Sequence, residues 1–544
     1  MSSDQPPNSG PWQQPSSSPW QQPGGGPGQQ QPGSWQSLPE WVSGAAGAPA
    51  PRRRKRGLAV GAGAGVLAIM AGVGIVYAYQ TLSGGGPQPA EAVPASAVAY
   101  LRLDLDPSAA QKVNAFRLLR SVPDFEKSTG ISSDKDDLRR LVYDAVSADL
   151  NCGLSYDQDI APWIGDRAAV AVVPVDDTAT GEIVLQVKDS GKAKAAVPAI
   201  EKCAAAQSGS TLGVDFVGDY MVMTASKYLD SIVSAAGSSP LSGDSGFTSD
   251  MSSLGEQGIA SFWYDIDGAR EIPQVQDAMG GSGFGSMAGV HSVFGAARAG
   301  SDYLELAVQA RADQSLTTDV SNPVANLPDT TMAAASVSGG GQLLTDNWDK
   351  LVAALDSASG GQALSAISSF ESSTGLSLPD DAATLLGDNV TLALDGEGFT
   401  SDALSSQNPF DALGFGARFT TDPQEVQHVI DTLQSALSAQ GAPIQLITRS
   451  TSDGLVVASN DGYSGQLAAD GNLGSSDTFT TAVPNASSAA GVLYVDMDKL
   501  GSALAAVNQQ DAADKIAPLR AVGLSVQQLN GDTLQATLRV TFDG

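Results

Sequence analysis

Near the C-terminal end of the chain, Leu534, Ala536, Leu538, Val540 and Phe542 alternate with Gln535, Thr537, Arg539 and Thr541. That period of two predicts a strand buried on one face. Asn530-Gly531 just before it favours the tight turn of a hairpin. Elsewhere the period is helical. Leu344, Trp348, Leu351, Val352 and Leu355 fall on one side of a predicted helix, and Val426, Val429, Ile430, Leu433 and Leu437 on one side of another. Apolar runs at 168–173, 183–187 and 390–394 read as further strands.

The landmarks recur in order. Phe125-Glu-Lys-Ser-Thr-Gly-Ile-Ser132 returns as Phe370-Glu-Ser-Ser-Thr-Gly-Leu-Ser377, and Trp163-Ile-Gly-Asp166 as Leu385-Leu-Gly-Asp388. Phe262-Trp-Tyr-Asp-Ile-Asp267 finds an echo in Leu493-Tyr-Val-Asp-Met-Asp498. Ordered self-similarity of this kind predicts duplication. The expected fold class is α+β, with two tandem repeats at 93–310 and 328–544 joined by a linker at 311–327. Each repeat would be an antiparallel sheet backed by helices on one face, and each is long enough for its own core.

The first 51 residues lack this patterning. They hold eleven Pro, nine Gln and four of the seven Trp, and cannot bury enough surface to offset their ordering entropy. A disordered tail is expected, with spaced Trp and Pro that an aromatic-lined groove of a cytoplasmic protein could grip. Arg52, Arg53, Arg54, Lys55 and Arg56 stand before an uncharged run at 57–79, so residues 52–80 read as a basic flank and transmembrane helix. Cations on its N-terminal side put the tail in the cytoplasm and the rest outside a plasma membrane crossed once. Gly57, Gly61 and Gly65 form a small-residue stripe that could pack two such helices into a homodimer. Residues 81–92 read as a flexible stalk.

Composition narrows the function. The 544 residues carry a formal net charge of -30, which repels phosphate backbones and excludes nucleic acid as a partner. Two His and two Cys leave little for metal clusters or His-based relays, and no cofactor is expected. No nucleophile elbow is present, since Gly462-Tyr-Ser-Gly-Gln466 fails at its last position. Gly191-Lys192 lacks the glycine of a phosphate loop. Ser132-Ser-Asp-Lys135 matches a short acyl-serine pattern without its companion motifs. His428 lies opposite the apolar side of its helix, and His291 has no acid or cysteine near it in sequence at a metal spacing.

The most regular constellation is Asp-x-Asp at strand ends: Asp104/Asp106, Asp265/Asp267 and Asp496/Asp498. Alternation puts both members of a pair on one face, where they could share calcium. The competing account makes them helix caps, with Asp106-Pro107, Asp267 and Asp498 each preceding a predicted helix. Cys152 and Cys203 are the only cysteines, so an oxidising exterior would join them in one disulfide. Closing a loop of about 50 residues would contribute roughly 4 kcal/mol in the chain-entropy account.

The single anchor, the opening Val-Pro-Ala-Ser-Ala-Val-Ala-Tyr100-Leu-Arg-Leu-Asp-Leu-Asp-Pro107 and the Ile-Gly-Asp-Arg167 lead-in resemble a family of membrane-anchored actinobacterial proteins with an extracytoplasmic domain of unknown function. The resemblance implies an envelope location and supplies no catalytic residues. Three functions stay open at this point: a duplicated domain that binds a protein, glycan or lipid; a carboxylate-dependent hydrolase in a cleft between the repeats; and a spacer between tail and envelope.

Overall fold

The computed structural model describes residues 88–104, 109–121, 137, 139–140, 143, 153–176, 178–208, 211–276, 289–313, 321–405, 412–439 and 445–543. The first-half strands are β1 (Ala99–Asp104), β2 (Ile164–Val175), β3 (Thr178–Val187), β4 (Leu212–Val217), β5 (Tyr220–Ala225), β6 (Ala260–Asp265), β7 (Val290–Ala299) and β8 (Tyr303–Ala312). The second half supplies β9 (Thr331–Ser338), β10 (Asn389–Asp395), β11 (Phe415–Thr420), β12 (Ile447–Ser450), β13 (Leu455–Ala458), β14 (Gly491–Asp496), β15 (Leu519–Asn530) and β16 (Thr533–Phe542). The helices used below are α1 (Ala109–Arg120), α2 (Ser190–Ser208), α3 (Leu229–Ser238), α4 (Ser245–Ser253), α5 (Ile266–Arg270), α6 (Gly340–Ala358), α7 (Ala363–Thr374), α8 (Pro423–Ala439), α9 (Asp461–Ala468), α10 (Asp477–Ala482) and α11 (Met497–Ala506).

The sequence pattern predicts two sheets in two tandem repeats; the structure holds one. All sixteen strands join in the order β12-β13-β11-β10-β9-β14-β15-β16-β8-β7-β6-β1-β2-β3-β5-β4. The joint is β8 against β16, antiparallel from Thr533 opposite Arg311 to Thr541 opposite Tyr303. Each closing hairpin would otherwise present a ten-residue row of unpaired backbone groups. Pairing the two rows satisfies both and fuses the halves. Read inward from either edge, the strands follow the same connectivity up to this seam. The hairpin expected at Asn530-Gly531 joins β15 to β16.

One further expectation is corrected, and another falls partly outside the described residues. Among the described residues no helix is long and apolar enough to cross a membrane. The segment 57–79, with Gly57, Gly61 and Gly65, lies outside them, as do the tail and most of the stalk. The single-pass plasma-membrane topology rested on the hydropathy of that segment and its flanking cations, and no element among the described residues carries it. Nor does any disulfide have both ends among the described residues: Cys203, on α2, is not a free thiol, and Cys152 lies outside them.

Alternation gives the sheet two faces. On the first, α3 and α4 cover Tyr100, Ala171, Val184, Val222, Trp263 and Phe294 in the first half. In the second half α9 and α10 cover Ala334, Ala393, Val456, Val492 and Tyr494. Aromatic rings lock each core edge to face, Phe247 against Trp263 at 5.4 Å and Phe479 against Tyr494 at 5.0 Å. Caps start the helices: Asp244 accepts from the Phe247 N–H and Asn460 from the Tyr463 N–H, both at 2.8 Å. Phe479 is fully buried, so Phe479→Ala should cost about 3–5 kcal/mol through lost contacts and a cavity. Chemical denaturation of the purified variant measures it.

Candidate functional site

The Asp-x-Asp pairs serve as caps and ion-pair partners. Asp104 ends β1, buried, 2.9 Å from Arg102 and 3.6 Å from Arg167; Asp106 lies outside the described residues. Asp265 and Asp496, not the later acid of each pair, cap α5 and α11 by accepting from the Gly268 and Lys499 N–H groups at 3.0 Å. The helices therefore begin two residues earlier than the sequence suggests. Their first turns carry Asp267 and Asp498 off the strand, so strand alternation no longer places the pair on one face. Burial, with Asp543 and Asp496 nearby, raises the Asp498 pKa. Among the described residues no group of three metal-ligating side chains converges.

The tertiary fold gives His291 the partners that sequence proximity did not. Its Nδ1 lies 2.7 Å from Asp267 and its Nε2 2.8 Å from Asp313, and hydrogen bonding to Asp313 and then Asp267 raises its pKa. The imidazole ties α5 to the β7–β8 hairpin at the surface. His428 is exposed on α8, and Ser132 and Lys135 lie outside the described residues.

Where the two helix-covered cores of the first face meet, neither α4 nor α10 reaches across the seam. The gap is a groove of about 350 Å³, lined by Leu254, Pro484 and a polar floor. At its centre the buried Glu305 of β8 receives Arg298 at 2.6 Å and Arg539 at 2.9 Å. Arg298 also donates to the Glu256 carbonyl at 2.7 Å, and Arg539 to the Thr481 carbonyl at 3.0 Å, its guanidinium stacked 4.1 Å from the Tyr303 ring centre. The charges are thus spent on one another. Beside them Gln309 donates to Gln535 at 2.9 Å, a second side-chain link across the joint.

The opposite face is different in kind. α2 covers its β3–β5 end through Met221, Met223 and Leu185, and α8 covers its β11–β13 end through Ala417, Phe419 and Val457. Between them a row of apolar side chains runs strand to strand: Leu306, Leu538, Leu524, Leu493, Ala335 and Leu392 are successive register partners from β8 to β10. Leu306, Leu538, Leu524 and Ala335 are partly buried and Leu493 and Leu392 are exposed, while their neighbours in sequence on the first face are buried apart from Arg539. Leu493 is 47% and Leu392 52% exposed, and Ile183 and Val337 lie on the same face at 41% and 40%. Sequence periodicity identified the strands but could not show which apolar face lacks a cover.

Sequence reading also missed Glu182. It sits on β3 opposite Ala171, fully buried, and neither carboxylate oxygen has a hydrogen-bond partner. Thr224, the nearest hydroxyl by register, donates instead to the Gly181 carbonyl. A lone acid among apolar residues in the run Thr178–Val187 was the available signal.

These two faces define a protein built on one antiparallel sheet, with a polar seam on one side and a partly covered apolar field on the other. A family model described as "Protein of unknown function (DUF3352)" matches residues 60–216, which include β1 to β3 and most of β4. The resemblance seen in the first-half motifs thus reaches a family of unknown function; the match says nothing of source organism or membrane anchoring. No curated protein and no solved structure matches the chain.

Burial pushes the Glu182 carboxyl from 4.5 up to about 8. Between those values the folded state holds a proton that the unfolded chain has released, so stability falls as pH rises across that window. Glu182→Gln should flatten the dependence of Tm on pH from about 5 to 8 and raise Tm most at the alkaline end. Thermal melts across that range check it; an unchanged slope would assign the effect elsewhere.

Proposed function

We propose that this chain is a binding protein, not an enzyme, and that its apolar sheet face takes the hydrocarbon part of an amphiphile such as a long-chain lipid. The observation that carries the reading is the register-matched row from Leu306 to Leu392, partly exposed along its length and about half exposed at Leu493 and Leu392. Six strands at about 4.8 Å spacing make that row about 24 Å long, the reach of an extended acyl chain. Contiguous exposed apolar surface of this kind marks an interaction site in a soluble fold. The apolar residues exposed on α6 and α7, Leu351, Leu355, Leu364 and Phe370, add surface of the same character. Carboxylate-dependent hydrolysis finds less support, since Glu182 stands alone and Glu305 is held by two arginines.

Titration with a fluorescent long-chain fatty acid tests the proposal. The double variant Leu493→Asp, Leu392→Asp should weaken binding at least tenfold, because two charges then stand in the row. Both side chains are about half exposed, so the melting temperature should move little. Wild-type protein that fails to bind the probe, or a double variant that binds it equally well, would overturn the reading.

A further inference from the structure

We propose that the groove at the seam is a second binding site, independent of the apolar face, and that its ligand is a neutral polyhydroxylated molecule of mono- to disaccharide size. Its volume of about 350 Å³ falls in the range of small-molecule sites. The charge balance of its lining decides the ligand class. Arg298 and Arg539 face Glu305 and Glu256, so the lining is formally neutral. Both guanidinium groups are already engaged by the Glu305 carboxylate and by backbone carbonyls. An anion would find no uncommitted cation there, and the net charge of -30 repels it at a distance. A cation would have to take Glu305 from two arginines.

What remains available is neutral. Ser525, Gln527 and Asn485 line the groove, and their side chains make no hydrogen bond with other described residues. An amide offers donors and an acceptor from one group, and a hydroxyl does the same. That mixture suits a ligand whose own hydroxyls both give and accept. Leu254 and Pro484 supply apolar contact for ring C–H groups on the wall. The backbone also holds one of these amides in place: Asn485 adopts φ 58°, a left-handed conformation uncommon for a residue with a Cβ. Such conformations gather at ligand sites, where the fold holds them. The site exists only because the halves are fused, since β15 and β16 bring Ser525, Gln527 and Arg539 beside Arg298 and Glu305.

Calorimetric titration with maltose and with cellobiose, and inorganic phosphate as the anionic probe, tests this on the full chain. At least one disaccharide should bind saturably and phosphate should not. Gln527→Ala should weaken the sugar at least tenfold, and Asn485→Gly, which keeps the left-handed backbone while removing the amide, should do likewise. Both variants should melt within about 2 °C of wild type, because neither side chain supports the core. Leu493→Asp, on the opposite face, should leave sugar binding unchanged, which separates this proposal from the apolar reading. No binding of either sugar, binding indifferent to both groove variants, or preferential binding of phosphate would overturn it.

Discussion

The backbone pairing of β8 with β16 is the constraint on which the rest depends. An eight-strand sheet from either half has two edges of unequal hazard. The outer ones, β4 and β12, are six and four residues long, and short edges tempt few partners. The inner ones are ten residues each, long enough that leaving them open would invite pairing with another chain. Joining them inside one molecule removes both liabilities at once. It also makes the halves share a sheet, so neither is an independent domain even though each carries its own aromatic-centred core.

The seam then sets the chemistry of each face. On the helix-covered face, helices follow their own strands and stop short of the joint, so the side chains there cannot be buried by an apolar cover. Polar residues occupy it, and Glu305 compensates two arginines from opposite sides of the joint, Arg298 from β7 and Arg539 from β16. Removing the carboxylate alone would leave two desolvated cations, which is why such triads are costly to break even where they add little net stability. On the other face α2 and α8 cover the far ends, α5 and α1 pack over parts of β1–β2 and β7–β8, and the leucine row between them stays partly exposed.

Some of this was legible in the chain. The 534–542 alternation, the Asn530-Gly531 turn and the helical period at 426–437 each correspond to an observed element, because each depends on local backbone geometry. The helical period at 344–355 also formed a helix, yet Leu351 and Leu355 on its apolar side are exposed, because no described neighbour covers them. The Asp-x-Asp constellation misled for a related reason. A strand and a helix start alike in sequence, and only the cap bonds of Asp265 and Asp496 show where one gives way to the other.

By itself the sequence determined local matters: which segments extend, which coil and where turns fall. Two of its ordered landmarks, Trp163–Asp166 with Leu385–Asp388 and Phe262–Asp267 with Leu493–Asp498, fall at corresponding strands of the two halves. Tertiary structure alone decided that these strands form one sheet, because edge pairing depends on which unpaired rows meet in space, not on the period within either. It likewise decided which apolar face lacks a cover, and that Glu305, Arg298 and Arg539 meet. Arg539 lies 234 residues from Glu305, and no spacing rule reaches that far. Their encounter follows from the strand register across the seam.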